Sequence, residues 1–243
     1  MEITSINNER VKKWLKLKNK KYRDSEKLFL IEDDHLIKEA LSKGLVKEII
    51  TVTDTVYDID TYYVTDKIMK NLSDQVSGAK TIAVCYQIPE SKVTGNAIIL
   101  DNIQDPGNLG TIIRSAVAFN FKTIILSDTC VDLYNSKVIR ASEGMIFHIN
   151  VIRKNLVSFL KNLDDYTLLT TDVFKGQSIK EVLNKKSDNK LIGLVIGNEG
   201  HGVSSEVANL CQEFVNIKMN SNCESLNAGV CASILMYEVD NYE

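Results

Sequence analysis

Leu191-Ile-Gly-Leu-Val-Ile196, running straight into Gly197-Asn-Glu-Gly-His-Gly202, is the stretch that decides the fold. The first six residues are apolar or glycine and end abruptly, the pattern of a short strand. The next six hold three glycines, and glycines in a turn leave backbone amides open to a ligand. The order G-x-G-x-x-G of a dinucleotide site is absent, and no Gly-Lys-Ser/Thr follows as in a nucleoside-triphosphate loop. Ser204 to Cys211 then has the composition of a helix. Strand, glycine turn and helix form the repeating unit of a parallel α/β sheet, whose ligands sit at the strand C-terminal ends.

Two more junctions have this form. Ala97 to Leu100 is a strand of the buried type, followed by Asp101-Asn-Ile-Gln-Asp-Pro-Gly-Asn-Leu-Gly-Thr-Ile-Ile-Arg114. Pro106-Gly107 forces a turn, and a helix is predicted from Thr111 to Phe119. Arg114, about one turn beyond Gly110, can point back toward Asn108 and the loop. Phe214 to Ile217 is a short strand that leads through Lys218 and Met219 to Ser225-Leu-Asn227, where a last helix opens and runs to Tyr237. Ser225 is a candidate N-cap. Asn227, a poor helix former just inside the helix, suggests a side-chain role. Gly229 in the helix interior suggests close packing.

Working outward, Phe29-Leu-Ile31, Val46 to Val52 and Thr81 to Tyr86 read as strands, with helices at Leu36 to Leu41 and Ile68 to Leu72. Gln87 to Asn96, with Pro89 and Gly95, breaks the pattern and reads as a linker. Glycine usage changes there: Gly44, Gly78 and Gly95 precede residue 97, and nine glycines follow it. The expected division is therefore residues 1–94 and residues 95–243. Further strands are predicted at Lys122 to Ser127, Ile146 to Ile152 and Thr167 to Thr171. Helices are predicted around Val138 to Ala141 and at Leu156 to Leu163. The alternation makes the chain α/β.

The 243 residues carry a formal net charge of −3, which taken alone argues against a nucleic-acid partner. The charge is uneven, however. Residues 1–23 hold eight basic and two acidic residues. Arg10, Lys12, Lys13, Lys16, Lys18, Lys20, Lys21 and Arg23 form a run with no acid among them, read as one basic helix punctuated by Val11, Trp14, Leu15 and Leu17. Such a helix either holds a phosphate backbone or is only a solvated face. The five cysteines, at 85, 130, 211, 223 and 231, form no CxxC pair and no metal-ligand spacing. That scatter fits the reduced thiols of a cytoplasmic protein. The apolar runs are too short to cross a bilayer, and the N-terminus lacks the apolar core of a secretory signal. There is no HExxH zinc motif and no G-x-S-x-G elbow.

Each junction alone is weakly specific; their order and spacing together are not. Leu100 to Leu126, the Gly197–Gly202 turn and Ile217 to Tyr237 resemble the three motifs of the SpoU (TrmH) family of RNA ribose methyltransferases, in the SPOUT class. The resemblance covers residues 97 to 238. The N-terminal part is similar, more loosely, to the small substrate-binding domain, related to a ribosomal-protein fold, of members that act on ribosomal RNA. The resemblance implies a trefoil-knotted α/β methyltransferase domain joined to a small N-terminal α/β substrate-binding domain. It also implies a homodimer whose active site draws on both subunits. The implied reaction is methyl transfer from S-adenosyl-L-methionine to a ribose 2′-hydroxyl, without a metal.

Carried over motif by motif, Asn108, Arg114, Glu199, Ser225 and Asn227 form the catalytic cluster. Gly197, Ile217, Met219, Ser225 and Leu226 hold the cofactor. Arg10, Lys12, Lys13, Lys16, Lys20, Lys21 and Arg23 are the expected RNA contacts. A guanidinium does not lose its proton near neutral pH. Arg114 is therefore read as the group that positions the target and stabilises the developing alkoxide, with Asn108 and Glu199 orienting it. Lys218 stands where motif three usually has proline, adding a backbone N–H and a charge beside the cofactor. The N-terminal domain, absent from minimal tRNA-acting relatives, points to structured 23S ribosomal RNA as substrate. Transfer RNA, a knotted RNA-binding protein without catalysis, and a nucleotide-binding protein of other chemistry remain open alternatives at this point.

Overall fold

The computed structural model describes residues 2–75, 78–172, 175–185 and 190–242. The chain forms two compact units, Met1–Pro89 with Asp132–Phe147, and Glu90–Val131 with His148–Glu243. The first unit runs β1 (Glu2–Ile3), α1 (Glu9–Lys16), α2 (Lys20–Glu26), β2 (Leu28–Ile31), α3 (Asp34–Ser42), β3 (Val46–Thr51), β4 (Thr61–Val64), α4 (Asp66–Leu72) and β5 (Thr81–Tyr86). Its strands make one mixed sheet in the order β1-β4-β3-β5-β2. β5 is antiparallel to both neighbours, whereas β3 and β4 are parallel.

Val11, Trp14 and Leu17 reach across from the first helix to Ile50, Ile68, Leu72 and Ile82 in one apolar core. Trp14, the single tryptophan, is buried and donates its indole N–H to Glu48 Oε1 at 2.7 Å. The other Glu48 oxygen takes Arg10 at 3.3 Å, and the Arg10 guanidinium lies 4.2 Å over the Tyr62 ring. A buried carboxylate is thus matched by two donors, as its desolvation requires.

The expected single basic helix is in fact two. The first ends at Lys16 with Leu17 as its cap, and Asn19 caps the second, its side chain accepting from Lys21 N at 2.9 Å. Arg23 then turns inward. One terminal nitrogen donates to the carbonyls of Leu17 and Lys18, both at 2.8 Å. The other meets Asp132 at 2.5 Å, with the two side chains only 9% and 14% exposed. Tyr134, from the same Asp132–Phe147 segment, lies against Phe29 with ring centroids 4.6 Å apart.

The second unit begins with β6 (Ala97–Leu100), α5 (Pro106–Ala118) and β7 (Thr123–Leu126). The chain then passes through α6 (Ser136–Ala141), which belongs to the first unit. It continues as β8 (Asn150–Arg153), α7 (Leu156–Leu160), β9 (Tyr166–Thr171), β10 (Gln177–Ser178), α8 (Ile179–Lys185), β11 (Leu191–Ile196), α9 (Ser205–Ala208), β12 (Glu213–Asn216) and α10 (Ala228–Asp240). These strands form a sheet in the order β10-β12-β9-β11-β6-β7-β8, every pair parallel. The apolar strands β6 and β11 lie at its centre, as their unbroken hydrophobic runs require.

Three local expectations change. The helix expected from Thr111 starts at Pro106, because Asp105 caps it by accepting from Asn108 N at 2.8 Å and proline suits the first turn. The strand expected over Ile146 to Ile152 is a 3-10 turn, Met145–His148, and then β8, because Glu143 and Gly144 both take positive φ and turn the chain just before it. The last helix is capped by Asn227, not Ser225: the Asn227 side chain accepts from Val230 N at 3.2 Å. No helix among the described residues is long and apolar enough to cross a membrane.

Candidate active site

β12, β9, β11 and β6 are successive neighbours in the parallel sheet. The loops that leave β6, β11 and β12 therefore emerge at one edge, the strand C-terminal ends, where open α/β sheets hold ligands. These loops are the three junctions singled out in the sequence.

Two buckles join the first two loops. Asp101, buried at the end of β6, accepts from Ser204 N at 2.8 Å and from Ser204 Oγ at 2.6 Å. Asn198 donates its amide to the Asn102 carbonyl at 3.1 Å and accepts from Gly200 N at 2.9 Å with its side-chain oxygen. The glycine turn closes on itself through Asn198 N to Gly202 O at 3.0 Å and the return bond at 2.9 Å. A methyl on Gly197 would collide with the Gly202–Val203 backbone across that turn. Gly197→Ala should therefore open the turn and cost roughly 1–3 kcal/mol, read as a lowered thermal midpoint; an unchanged midpoint would show that the turn is not closed in solution.

A cavity of about 460 Å³ is lined by the loops after β11 and β12, the end of β9 and the start of α10, and the β6 loop reaches it only through the bond from Asn108 to Glu199. Its walls include Ile196, Val203, Phe214, Val215, Ile217, Met219 and Leu226, with Asp172 and Glu199 as its carboxylates. Of the residues assigned to the cofactor, Gly197, Ile217, Met219, Ser225 and Leu226 all line it. The Cys231 thiol also lines it, and burial pushes its pKa up to about 11, so the wall is uncharged there.

The proposed catalytic residues divide. Asn108, buried in the first turn of α5, donates its side-chain amide to Glu199. This bond joins the first and second junctions directly. Ser225 lines the cavity, and Asn227 stands at the cap of α10 just beyond it. Arg114 is elsewhere. It is six residues along α5 from Asn108, about 120° around the helix axis, and it is exposed with no side-chain bond to Asn108 or Glu199. Asn108 and Glu199 therefore bond each other, and neither bonds Arg114 of the same chain.

Arg114 instead flanks a seam between α5 and α10. The two helices touch where Gly229 faces Thr111, 3.2 Å from the position a Gly229 Cβ would take. They meet again where Ser115 and Ser233 hydroxyls bond at 2.7 Å, and where Phe119 meets the Tyr237 ring edge-on. Contacts spaced by four residues on both helices run the seam along their length. α10 is apolar nearly all round, and its Val230 and Tyr237 are 45% and 51% exposed.

Sequence reasoning missed Thr170 and Thr171, which end β9, and Asp172 just after them, all of which line the cavity. They follow no glycine turn, so the signal used for the other loops was absent; their position at a strand C-terminus was the available one. It also missed Asp101 and Asn198, whose work is done by side-chain bonds to loops distant in sequence.

The basic segment is less charged in the fold than in the sequence. Arg10 pairs with Glu48, Lys12 with Glu9 at 2.8 Å, Lys18 with Asp74 at 2.9 Å and Arg23 with Asp132. Arg23 is buried and committed, so it is not available to a phosphate. Lys13, Lys16, Lys20 and Lys21 stay exposed, with Lys16 near the Tyr22 ring.

The chain is similar to known proteins over nearly its whole length. Residues 95–237 match the model of the SpoU rRNA Methylase family, and residues 8–83 match the MRM3-like substrate binding domain. The 23S rRNA (guanosine(2553)-2′-O)-methyltransferase RlmP of Bacillus subtilis (strain 168) is 34% identical over 98% of this chain and 98% of its own length. An AdoMet-bound rRNA methyltransferase from Sinorhizobium meliloti superposes with a TM-score of 0.86 at 24% identity, covering 100% of this chain and 98% of that one. The SpoU methyltransferase AviRb from Streptomyces viridochromogenes, in complex with AdoMet, gives a TM-score of 0.84 at 22% identity over 97% and 98% of the two chains. At these identities the two structures speak for the fold.

Proposed function

The chain belongs to the SpoU rRNA methylase family, and we propose that it transfers a methyl group from S-adenosyl-L-methionine to a ribose 2′-hydroxyl of RNA, with structured 23S ribosomal RNA as the substrate. The methyltransferase activity comes with the family. The ribosomal target is supported by the near full-length similarity to RlmP and by the match of residues 8–83 to a substrate-binding domain.

The observation that carries the reading is the gathering of Gly197, Glu199, Ile217, Met219, Ser225 and Leu226 on one cavity, with Asn108 bonded to Glu199. The cavity suits the cofactor: apolar walls for an adenine ring, carboxylates for sugar hydroxyls or a positive sulfonium, and a volume in the range of small-molecule sites. When bound, S-adenosyl-L-methionine supplies a methyl carbon already activated by the sulfonium. The protein's task is to align the ribose oxygen and stabilise the alkoxide that develops on it. Asn108 fixes the Glu199 carboxylate, Ser225 and Asn227 shape the third loop, and Arg114 supplies the cation.

Because Arg114 lies away from Glu199 on its own chain, we read it as serving the site of a second copy. The exposed apolar side chains of α10 beside this seam, Val230 and Tyr237, support a homodimer formed there. The trefoil knot belongs to the same reading, and so does residence in the cytoplasm beside a ribosomal substrate.

A methylation map of 23S rRNA from cells with and without the protein tests the function. One ribose should lose its 2′-O-methyl group when the protein is removed; an unchanged map would refute the ribosomal substrate. The four lysines of this segment with no ion pair among the described residues give a second test. Changing Lys13, Lys16, Lys20 and Lys21 together to glutamine should flatten the slope of log affinity against log salt by about three. The same change at Lys12, already paired with Glu9, should move it little. Equal slopes for wild type and the fourfold variant would mean that the segment is only solvated.

A further inference from the structure

Resting on the reading above, we infer that Lys218 anchors a phosphate of the target strand beside the methyl-accepting ribose. Three observations lead there. First, Lys218 is flanked in sequence by Ile217 and Met219, both of which line the cavity, while its own side chain does not line it and is exposed. In this extended stretch just after β12, Lys218 is exposed between two cavity-lining residues, which places its ammonium in solvent at the cavity's border.

Second, the charge around the site is the wrong sign for RNA. The three loops, residues 101–114, 197–202 and 217–227, carry Asp101, Asp105, Glu199 and Glu224 against Arg114 and Lys218 as their only lysine or arginine residues. The described cavity lining itself includes Asp172 and Glu199 and no lysine or arginine. A polyanion that must bring a ribose to this cavity meets net negative charge unless a cation receives its backbone.

Third, the two cations differ in what they are free to do. Arg114 lies on α5, away from Glu199, and is given to the alkoxide. Lys218 sits on the loop that follows β12, and no hydrogen bond or ion pair to a carboxylate holds it among the described residues; the Glu224 of its own loop is exposed as well. A lysine ammonium is a mobile point charge on a long stem, suited to a phosphate whose exact seat is set by the bound base.

The experiment compares wild type with Lys218→Gln and Lys218→Arg, using an RNA fragment that wild type methylates and S-adenosyl-L-methionine alone as the second probe. If wild type methylates no ribosomal fragment, the proposed function fails and not this inference. If it does, Lys218→Gln should raise the KM for RNA roughly three- to fivefold, as for one exposed ion pair, and flatten the salt slope by about one. The kcat at saturating RNA and the Kd for S-adenosyl-L-methionine should hold, and Lys218→Arg should restore most of the loss. Lys161→Gln, an exposed lysine after α7, is the control and should leave the slope as it was. An unchanged KM and slope in Lys218→Gln would overturn the inference. So would a loss confined to cofactor affinity, which would assign the charge to the cofactor instead.

Discussion

Replacing Arg114 with alanine should slow single-turnover methyl transfer by roughly a hundred- to a thousandfold, the usual effect of removing one donor from a developing oxyanion. The thermal midpoint and the affinity for S-adenosyl-L-methionine should stay at the wild-type value, because the exposed guanidinium is bonded to neither Asn108 nor Glu199 on its own chain. Arg114→Lys should recover only part of the rate, since it keeps the charge and loses the planar fork. The placement across a dimer has its own signature. Mixing Arg114→Ala with Glu199→Gln should yield dimers in which one site has both residues, so the mixture should methylate faster than either parent. No recovery after subunit exchange would return Arg114 to its own chain's site. Near-normal rates in Arg114→Ala would remove it from the reaction.

The second large effect concerns stability. Arg23→Met should destabilise the first unit by about 3–5 kcal/mol, because it leaves Asp132 buried and unpaired. The carbonyls of Leu17 and Lys18 lose their donor at the same time. Trp14 is the one tryptophan and is buried in this unit's core, so its emission during a urea titration reports this unit alone. The midpoint should fall in Arg23→Met, and much of it should return in Arg23→Met combined with Asp132→Leu, where neither charge remains. A midpoint that does not move would mean that the pair is open to water in solution.

These two arginines also show what the sequence makes legible. Arg114 was singled out because it follows a strand, a turn and a glycine at fixed spacing, a local pattern. Its direction was misjudged because the helix begins at Pro106 rather than Thr111, which commits the first turn to Asn108 and carries Arg114 round the axis. Arg23 was read as a surface cation because its run contains no acid. Its partner is Asp132, 109 residues away, and long-range pairing leaves no periodicity to detect. Glu48 and Asp74 neutralise Arg10 and Lys18 in the same way.

The strands fared differently. β6 and β11 are continuous apolar runs, buried on both faces, and β5 was placed at its observed ends. β4, Thr61–Val64, went unseen because Thr-Tyr-Tyr-Val is only half-buried and shows no clear alternation. α8 was also missed. The cavity wall was legible where a strand runs into a marked turn, at Gly197 and at Ile217 to Leu226, and not where β9 simply ends in Thr170 and Thr171. The parallel order of the large sheet follows from the alternation of strands and helices; the mixed order of the smaller one does not.

The return of Asp132–Phe147 into the first unit has a consequence for the order of synthesis. A ribosome releases residues 1–89 long before Asp132, so Arg23 first emerges with no carboxylate to receive it, and Phe29 with no Tyr134 ring against it. The N-terminal unit is therefore discontinuous in time as well as in sequence, and it can close only after β6, α5 and β7 have been made. Domains usually fold in the order they leave the ribosome; here the earlier unit must wait for part of the later one, and a fragment ending at Pro89 should remain incompletely packed however long it is given.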